Sequence, residues 1–273
     1  MQRFISFLCL ILLSVSLFAQ ERMTPELLWK LKRVSGLGVS IDRQLVIFNV
    51  SSPDAKENKS SSVKYTIPVK GGEPEEITTT LTNLLRDRSV SPDGKSKITV
   101  ESVKVNKVSG KDFYPTLDKS NVQIYESLNF RHWDTWEDGE FNHLFVHPIE
   151  NREVGEGKDI MPNEPYDSPQ QPFGGDEDFT WRPDSKRIVY VCKKKFGTAY
   201  ATSTNTDLYE FDVQSGVTVN LTEGMQGYDT HPDYSSTGVL AWLSMKRDGY
   251  EADKNDIIVR NGNVTTNLTQ QWD

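Results

Sequence analysis

Apolar residues in this chain come in short runs rich in Val, Ile, Thr and Tyr, and four of those runs follow a similar turn. Val39-Ser40-Ile41-Asp42 precedes Leu45-Val46-Ile47-Phe48, and Val90-Ser91-Pro92-Asp93-Gly94 precedes Ile98-Thr99-Val100. Trp181-Arg182-Pro183-Asp184-Ser185 precedes Ile188-Val189-Tyr190-Val191, and Tyr234-Ser235-Ser236-Thr237-Gly238 precedes Val239-Leu240-Ala241-Trp242. In such a turn Pro presets φ, Asp caps the following N–H groups and Gly takes positive φ. Each copy therefore predicts a strand end, a tight turn and a second strand.

A hairpin pattern follows the turns. Asp207-Leu208-Tyr209-Glu210-Phe211-Asp212 runs through Ser215-Gly216 to Asn220-Leu221-Thr222, and Asp256-Ile257-Ile258-Val259 runs through Asn261-Gly262 to Asn267-Leu268-Thr269. Lys64-Tyr65-Thr66-Ile67-Pro68-Val69 leads through Gly71-Gly72 to Glu76-Ile77-Thr78. Turn pair plus hairpin makes a unit of four short antiparallel strands repeating at about fifty residues, the pattern of a propeller blade. The fold class expected is all-β, a partial β-propeller of about four blades, at roughly 35–80, 85–155, 178–224 and 228–270 within a domain of 21–273. The second unit carries an elaborated insertion, roughly Val105 to Asp178. Ahead of the strands, Thr24 as N-cap and Pro25 at the first helical position predict a short helix to about Leu31.

Composition narrows the class. The 273 residues carry 31 Lys and Arg against 39 Asp and Glu, a formal charge of −8, so nothing favours a nucleic-acid partner. Arg3 followed by an apolar stretch from Phe4 to Leu17 and small residues near Ala19 reads as a signal peptide over 1–20, giving an exported, periplasmic or secreted protein. Cys9 falls in that leader, so Cys192 has no disulfide partner. Its apolar surroundings predict a buried, inert thiol.

Catalytic signatures are absent. The sequence has no G-x-S-x-G elbow, no H-E-x-x-H and no phosphate loop, and no catalytic residue is assigned. His143 and His147 flank Leu144-Phe145-Val146, which reads as strand and would set the two side chains about 13 Å apart, so no metal is expected. Asp176-Glu177-Asp178 lacks the alternating oxygen ligands of a calcium loop and reads as a solvated acidic turn. Asn220 and Asn267 begin Asn-x-Thr triplets that recur with the repeat, which a structural requirement explains without a glycan. The candidates for binding are Arg131, His132, Trp133, Asp134 and Trp136, since rings beside charges in an insertion are the materials of a peptide-recognition surface. The competing expectation is that Trp133 and Trp136 plug the inside of a loop.

Several segments resemble the N-terminal propeller of bacterial serine peptidases of the prolyl oligopeptidase family, nearest the dipeptidyl-peptidase V and acylaminoacyl-peptidase branch. They include Met23-Thr24-Pro25-Glu26-Leu27-Leu28, Tyr114-Pro115-Thr116-Leu117-Asp118, Arg131-His132-Trp133-Asp134-Thr135-Trp136, Gly157-Lys158-Asp159-Ile160-Met161 and Gly227-Tyr228-Asp229-Thr230. The resemblance implies a propeller that gates and helps to bind a peptide substrate, joined to an α/β-hydrolase domain bearing a Ser-Asp-His triad. No position here matches that nucleophile, so the expectation is a propeller truncated before its catalytic domain, needing no cofactor and inactive alone. The alternative is a stand-alone periplasmic module that binds proteins, with a homodimer closing its open sheet edges.

Overall fold

The computed structural model describes residues 22–78, 80–81, 84–117 and 119–272, so the signal peptide expected over 1–20 lies outside the described residues. The fold is all-β, and its described residues fall into two compact units, one ending at Asp87 and the other beginning at Arg88.

The first unit opens with the helix Pro25–Lys30, where the Thr24 hydroxyl accepts from Leu27 N at 3.2 Å as the N-cap pattern requires. One sheet follows: β1 (Arg33–Val39), β2 (Leu45–Asp54), β3 (Lys59–Pro68) and β4 (Glu75–Glu76), hydrogen-bonded in chain order. At the first turn the Ser40 hydroxyl donates to Asp42 at 2.5 Å, and Asp42 accepts from Gln44 N at 3.1 Å, so the short polar side chains close the turn.

Among the described residues the second unit holds three four-stranded sheets and one two-stranded hairpin. Its first contains β5 (Ser96–Lys104) paired along its whole length with β8 (Glu140–Glu150). β9 (Glu153–Val154) and β10 (Lys158–Asp159) pair successive stretches of β8. The strand expected before Ser91-Pro92-Asp93-Gly94 shrinks to the single bridge Val90–Lys97, although the turn itself forms, with the Ser91 hydroxyl donating to Asp93 at 2.6 Å. The next two sheets are regular meanders. One is β11 (Phe179–Trp181), β12 (Arg187–Cys192), β13 (Asp207–Asp212) and β14 (Thr218–Asn220). The other is β15 (Asp229–Tyr234), β16 (Leu240–Ser244), β17 (Asp256–Asn261) and β18 (Val264–Asn267).

The alternation of side chains along β12 explains how these sheets stack. Ile188, Tyr190 and Cys192 join Ile98, Leu144, Phe179 and Trp181 in one core. Val189 and Val191, on the opposite face, pack with Leu208, Leu240, Trp242 and Ile258 in another. A strand buried on both faces reads as a continuous apolar run, as 188–192 does. Cys192 is the free, buried thiol its surroundings predict, and burial pushes its pKa well up. Arg88 ties β11 to β15 by donating to the carbonyls of Phe179 and Pro232 at 3.4 and 3.0 Å.

The Asn-x-Thr triplets close the two meanders. In the third sheet Leu208 N donates to the Thr222 hydroxyl at 3.0 Å, that hydroxyl donates to Asp207 at 3.2 Å, and Thr222 N donates to Asn220 at 2.9 Å. In the fourth, Thr269 donates to Asp256 at 2.9 Å and accepts from Ile257 N at 2.9 Å, while Thr269 N donates to Asn267 at 2.9 Å. Each clamp pins the last strand to the start of its neighbour.

Candidate functional site

The long connection between β5 and β8 builds the site. It starts with a capping box: the Asp112 carboxylate accepts from Val108 N and Ser109 N at 3.0 and 2.9 Å and starts the helix Gly110–Phe113. The chain returns beside its own beginning, since Gly110 N donates to Val122 O at 2.7 Å and Ile124 N to Val108 O at 2.8 Å. It closes on Gly139, whose carbonyl accepts from Val105 N and Asn106 N at 2.9 and 3.1 Å. With φ +85° and Asn106 O only 2.2 Å from where a Cβ would sit, only glycine fits there.

The five sequence candidates lie on a hairpin within this connection, β6 (Arg131–His132) and β7 (Thr135–Trp136), with Trp133 and Asp134 at its turn. The Arg131 guanidinium lies 5.1 Å over the Trp136 ring, and Trp136 stacks on Tyr125 and Phe130 at 6.3 and 6.4 Å. Trp133 meets His132 and Phe173 edge-on at 5.0 and 5.3 Å. Trp133 is 67% exposed and Trp136 47%, so neither ring plugs the inside of a loop: the hairpin turns them outward.

Directly beside the hairpin lies a cavity of about 360 Å³ that sequence reasoning did not foresee. Its wall combines apolar side chains, among them Val108, Ile124 and Phe141, with Tyr125, Glu137, Asp167 and Tyr200. The hairpin supports this wall without lining it. Tyr125 carries the Trp136 stack on one side and donates its hydroxyl to Glu137 O at 2.6 Å.

Two carboxyls in this wall are held in an unusual state. Burial pushes Asp167 up to about 6, against the N–H that Asn142 donates to it at 2.9 Å, and the charge of Glu137 adds to the rise. Burial also raises Glu137, with the Asp138 carboxylate adding to it. Tyr200 is pushed up to about 12 by burial and by both carboxylates. Lys107 and Lys195 also line the cavity, yet among the described residues no lysine or arginine forms an ion pair with Glu137 or Asp167. The site therefore presents half-buried negative charge with an apolar surround, suited to a cation carried on an apolar body.

A shell of polar contacts fixes the far wall. Gln170 donates from its side-chain amide to the Tyr200 hydroxyl at 3.3 Å and accepts from Lys193 N at 3.0 Å, and the Lys193 ammonium lies 4.2 Å from the Tyr200 ring centre. Gln170 N in turn donates to Asp178 at 2.8 Å. Asp178 is thus buried, at the end of a short 3-10 turn, rather than part of a solvated acidic turn, because it is needed to satisfy the backbone of the proline-rich loop. The histidine pair is taken up structurally. On β8, His143 contacts Asp159 and Glu164 O at 2.9 and 2.8 Å, and His147 contacts Thr99 and Gly155 O at 2.8 and 2.9 Å. Among the described residues no group of His, Cys, Asp and Glu is placed to hold a metal ion.

Glu137 and Asp167 carried no sequence signal of their own. One adjoins the tryptophan cluster and the other lies among the prolines of the following loop, and only the fold puts them on one wall. The nearest hint was the density of aromatic and acidic residues from Arg131 to Asp138.

No family model matches the chain. Among curated proteins it is 35% identical to dipeptidyl-peptidase 5 of Porphyromonas gingivalis, over 88% of this chain and 41% of that protein. It is 32% identical to dipeptidyl-peptidase 5 of Porphyromonas endodontalis, over 85% of this chain and 40% of that protein. Among solved structures, an acylaminoacyl peptidase of Pyrococcus horikoshii overlaps 90% of this chain and 41% of its own at 12% identity, with a TM-score of 0.45. The β-propeller domain of the trilobed protease from Pyrococcus furiosus overlaps 89% of this chain and 72% of its own at 12% identity, with a TM-score of 0.28. By sequence the chain is similar to these dipeptidyl-peptidase 5 proteins, and it spans about two-fifths of the length of the curated relatives it matches.

Proposed function

We propose that this chain is the propeller part of an exported serine-type dipeptidyl-peptidase, and that the cavity beside the 131–136 hairpin receives the free amino end of the peptide substrate. An enzyme that releases dipeptides must measure two residues from a charged amine, so it needs fixed negative charge at that distance from the scissile bond. Glu137 and Asp167 supply it. In this role the ammonium's three N–H donors face the two carboxylates, and each charge-assisted bond contributes about 1.5–3 kcal/mol in a partly desolvated site. Arg131, His132, Trp133, Asp134 and Trp136 flank the entrance and contact the peptide beyond its first residue. The serine nucleophile belongs to an α/β-hydrolase part outside this chain, which by itself leaves dipeptide naphthylamides uncleaved.

The observation that carries this reading is the pair of half-buried carboxyls that, among the described residues, form no ion pair with lysine or arginine, in a wall that also carries apolar side chains. Calorimetric titration of the chain with a tripeptide and with its N-acetylated form tests it. The free tripeptide is expected to bind at least tenfold more tightly near pH 7.5, and Glu137→Gln is expected to remove most of that difference. Equal binding of the two peptides would remove the reading.

A further inference from the structure

We propose that the same cavity selects peptides whose N-terminal residue bears a large apolar side chain; the inference rests on the reading above and adds the class of residue. An ammonium held by Glu137 and Asp167 places its Cα within the cavity and leaves the side chain to the rest of the wall. There the chain offers Val108, Phe113, Ile124, Leu128 and Phe141. These come from both ends of the long connection and from the start of β8, so the apolar lining is assembled on purpose-built elements rather than left over at one loop.

The size of the cavity matters as much as its lining. At about 30 Å³ per water, 360 Å³ holds on the order of ten waters, far more than an ammonium and a glycyl Cα displace. A Gly or Ala terminus leaves most of that water against apolar walls, whereas Leu or Phe replaces it and buries its own surface at the same time. Phe113 and Leu128, each 38% exposed without a ligand, are the wall groups with apolar surface still to bury. Lys107 and Lys195 also stand at this wall, so an acidic terminal side chain is the specific competitor.

The test is a panel of tripeptides X-Ala-Ala, with X as Gly, Ala, Leu, Phe, Lys or Glu, titrated into the unmodified chain, each beside its N-acetylated form. The expected result is tighter binding of the Leu and Phe peptides by about tenfold to a hundredfold over Gly, lost on acetylation. Phe113→Ala, which alters a partly exposed side chain and so spares the core, is expected to shrink the preference for Phe over Ala severalfold. If all free peptides bind alike, or if Lys or Glu binds best, while acetylation still abolishes binding, the side-chain inference falls and the amine site stands. If acetylation has no effect, or no peptide binds, both fall.

Discussion

The third and fourth sheets and the connection between β5 and β8 belong to one compact unit, yet they use polar side chains in opposite ways. In the sheets most buried polar side chains have a structural partner, Tyr190 Oη and one Asp229 carboxylate oxygen being exceptions among the described residues. Asp207 and Asp256 are consumed by the Thr222 and Thr269 clamps, and Asp229 accepts from the Trp242 indole at 2.9 Å. At the cavity, Glu137 from the connection and Asp167 from the loop after β10 share a wall, and among the described residues neither forms an ion pair with lysine or arginine. The tryptophans divide in the same way: Trp242 is 3% exposed with its N–H bonded, whereas Trp133 and Trp136 face outward. Buried polar groups that are fully bonded hold a fold together, while groups left under-neutralised beside exposed rings mark a surface kept for something else.

The strongest test of this division is Trp242→Ala. Its loss opens a void in the core shared by β12, β13, β16 and β17 and strands the Asp229 carboxyl, so the expected cost is about 3–5 kcal/mol in denaturant unfolding. Trp136→Ala, which removes only a partly exposed stack, is expected to cost less than about 1 kcal/mol. Similar losses at the two positions would mean that the hairpin is part of the core and would erase the comparison.

A change at the clamps should be smaller. Thr222→Ala removes the acceptor of Leu208 N, which lies in the fully buried start of β13, and leaves that N–H without a partner at a cost of about 1–3 kcal/mol. Thr269→Ala should show the same loss at Ile257 N, though less of it, because Ile257 is partly exposed. Thermal unfolding of the two variants measures the difference, and an unaffected Thr222→Ala chain would show the triplets to be incidental to the fold.

These clamps also show why the repeat was legible. The Asp, Asn and Thr of each unit are fixed by local geometry that recurs with every hairpin, so the same residues return at the same spacing, and the turns at Asp42, Asp93 and Asp184 behave alike. The strand before Ser91 was not legible at its true length, because it pairs through one residue while the turn that announces it is intact. The hairpin from Arg131 to Trp136 could be picked out by composition, but not its outward orientation, which depends on Tyr125 and Phe130 covering one face of Trp136. Asp167 was beyond reach, since its role comes from Glu137, some thirty residues away, and from the Asn142 N–H on β8. Asp178 was misread for the same reason: its partner is the backbone of Gln170 across the loop.

The finest separation of the two kinds of carboxyl comes from Asp167 and Asp178, both pushed up to about 6 and both accepting one backbone N–H. A carboxyl whose folded pKa lies above its unfolded value of about 3.9 binds its proton more tightly in the native state, so its contribution to stability is full below about pH 4 and is lost as pH rises toward 6. Asp167→Asn and Asp178→Asn each remove that loss and are expected to raise stability at pH 8, for the partly solvated Asp167 by about 1 kcal/mol, with little change at pH 4. Only one of them should disturb peptide binding. In the unmodified chain an ammonium favours the ionised form of Asp167, so affinity should climb between pH 5 and pH 7 as that carboxyl gives up its proton. Asp167→Asn is expected to flatten the climb and weaken binding at pH 7, whereas Asp178→Asn should leave both intact. Matching pH profiles of stability with divergent pH profiles of binding would show that equal pKa values hide a carboxyl that holds a loop and a carboxyl that waits for a ligand; if both variants lose binding, Asp178 shapes the site through Gln170 and Tyr200, and the boundary between fold and site runs one residue layer further out.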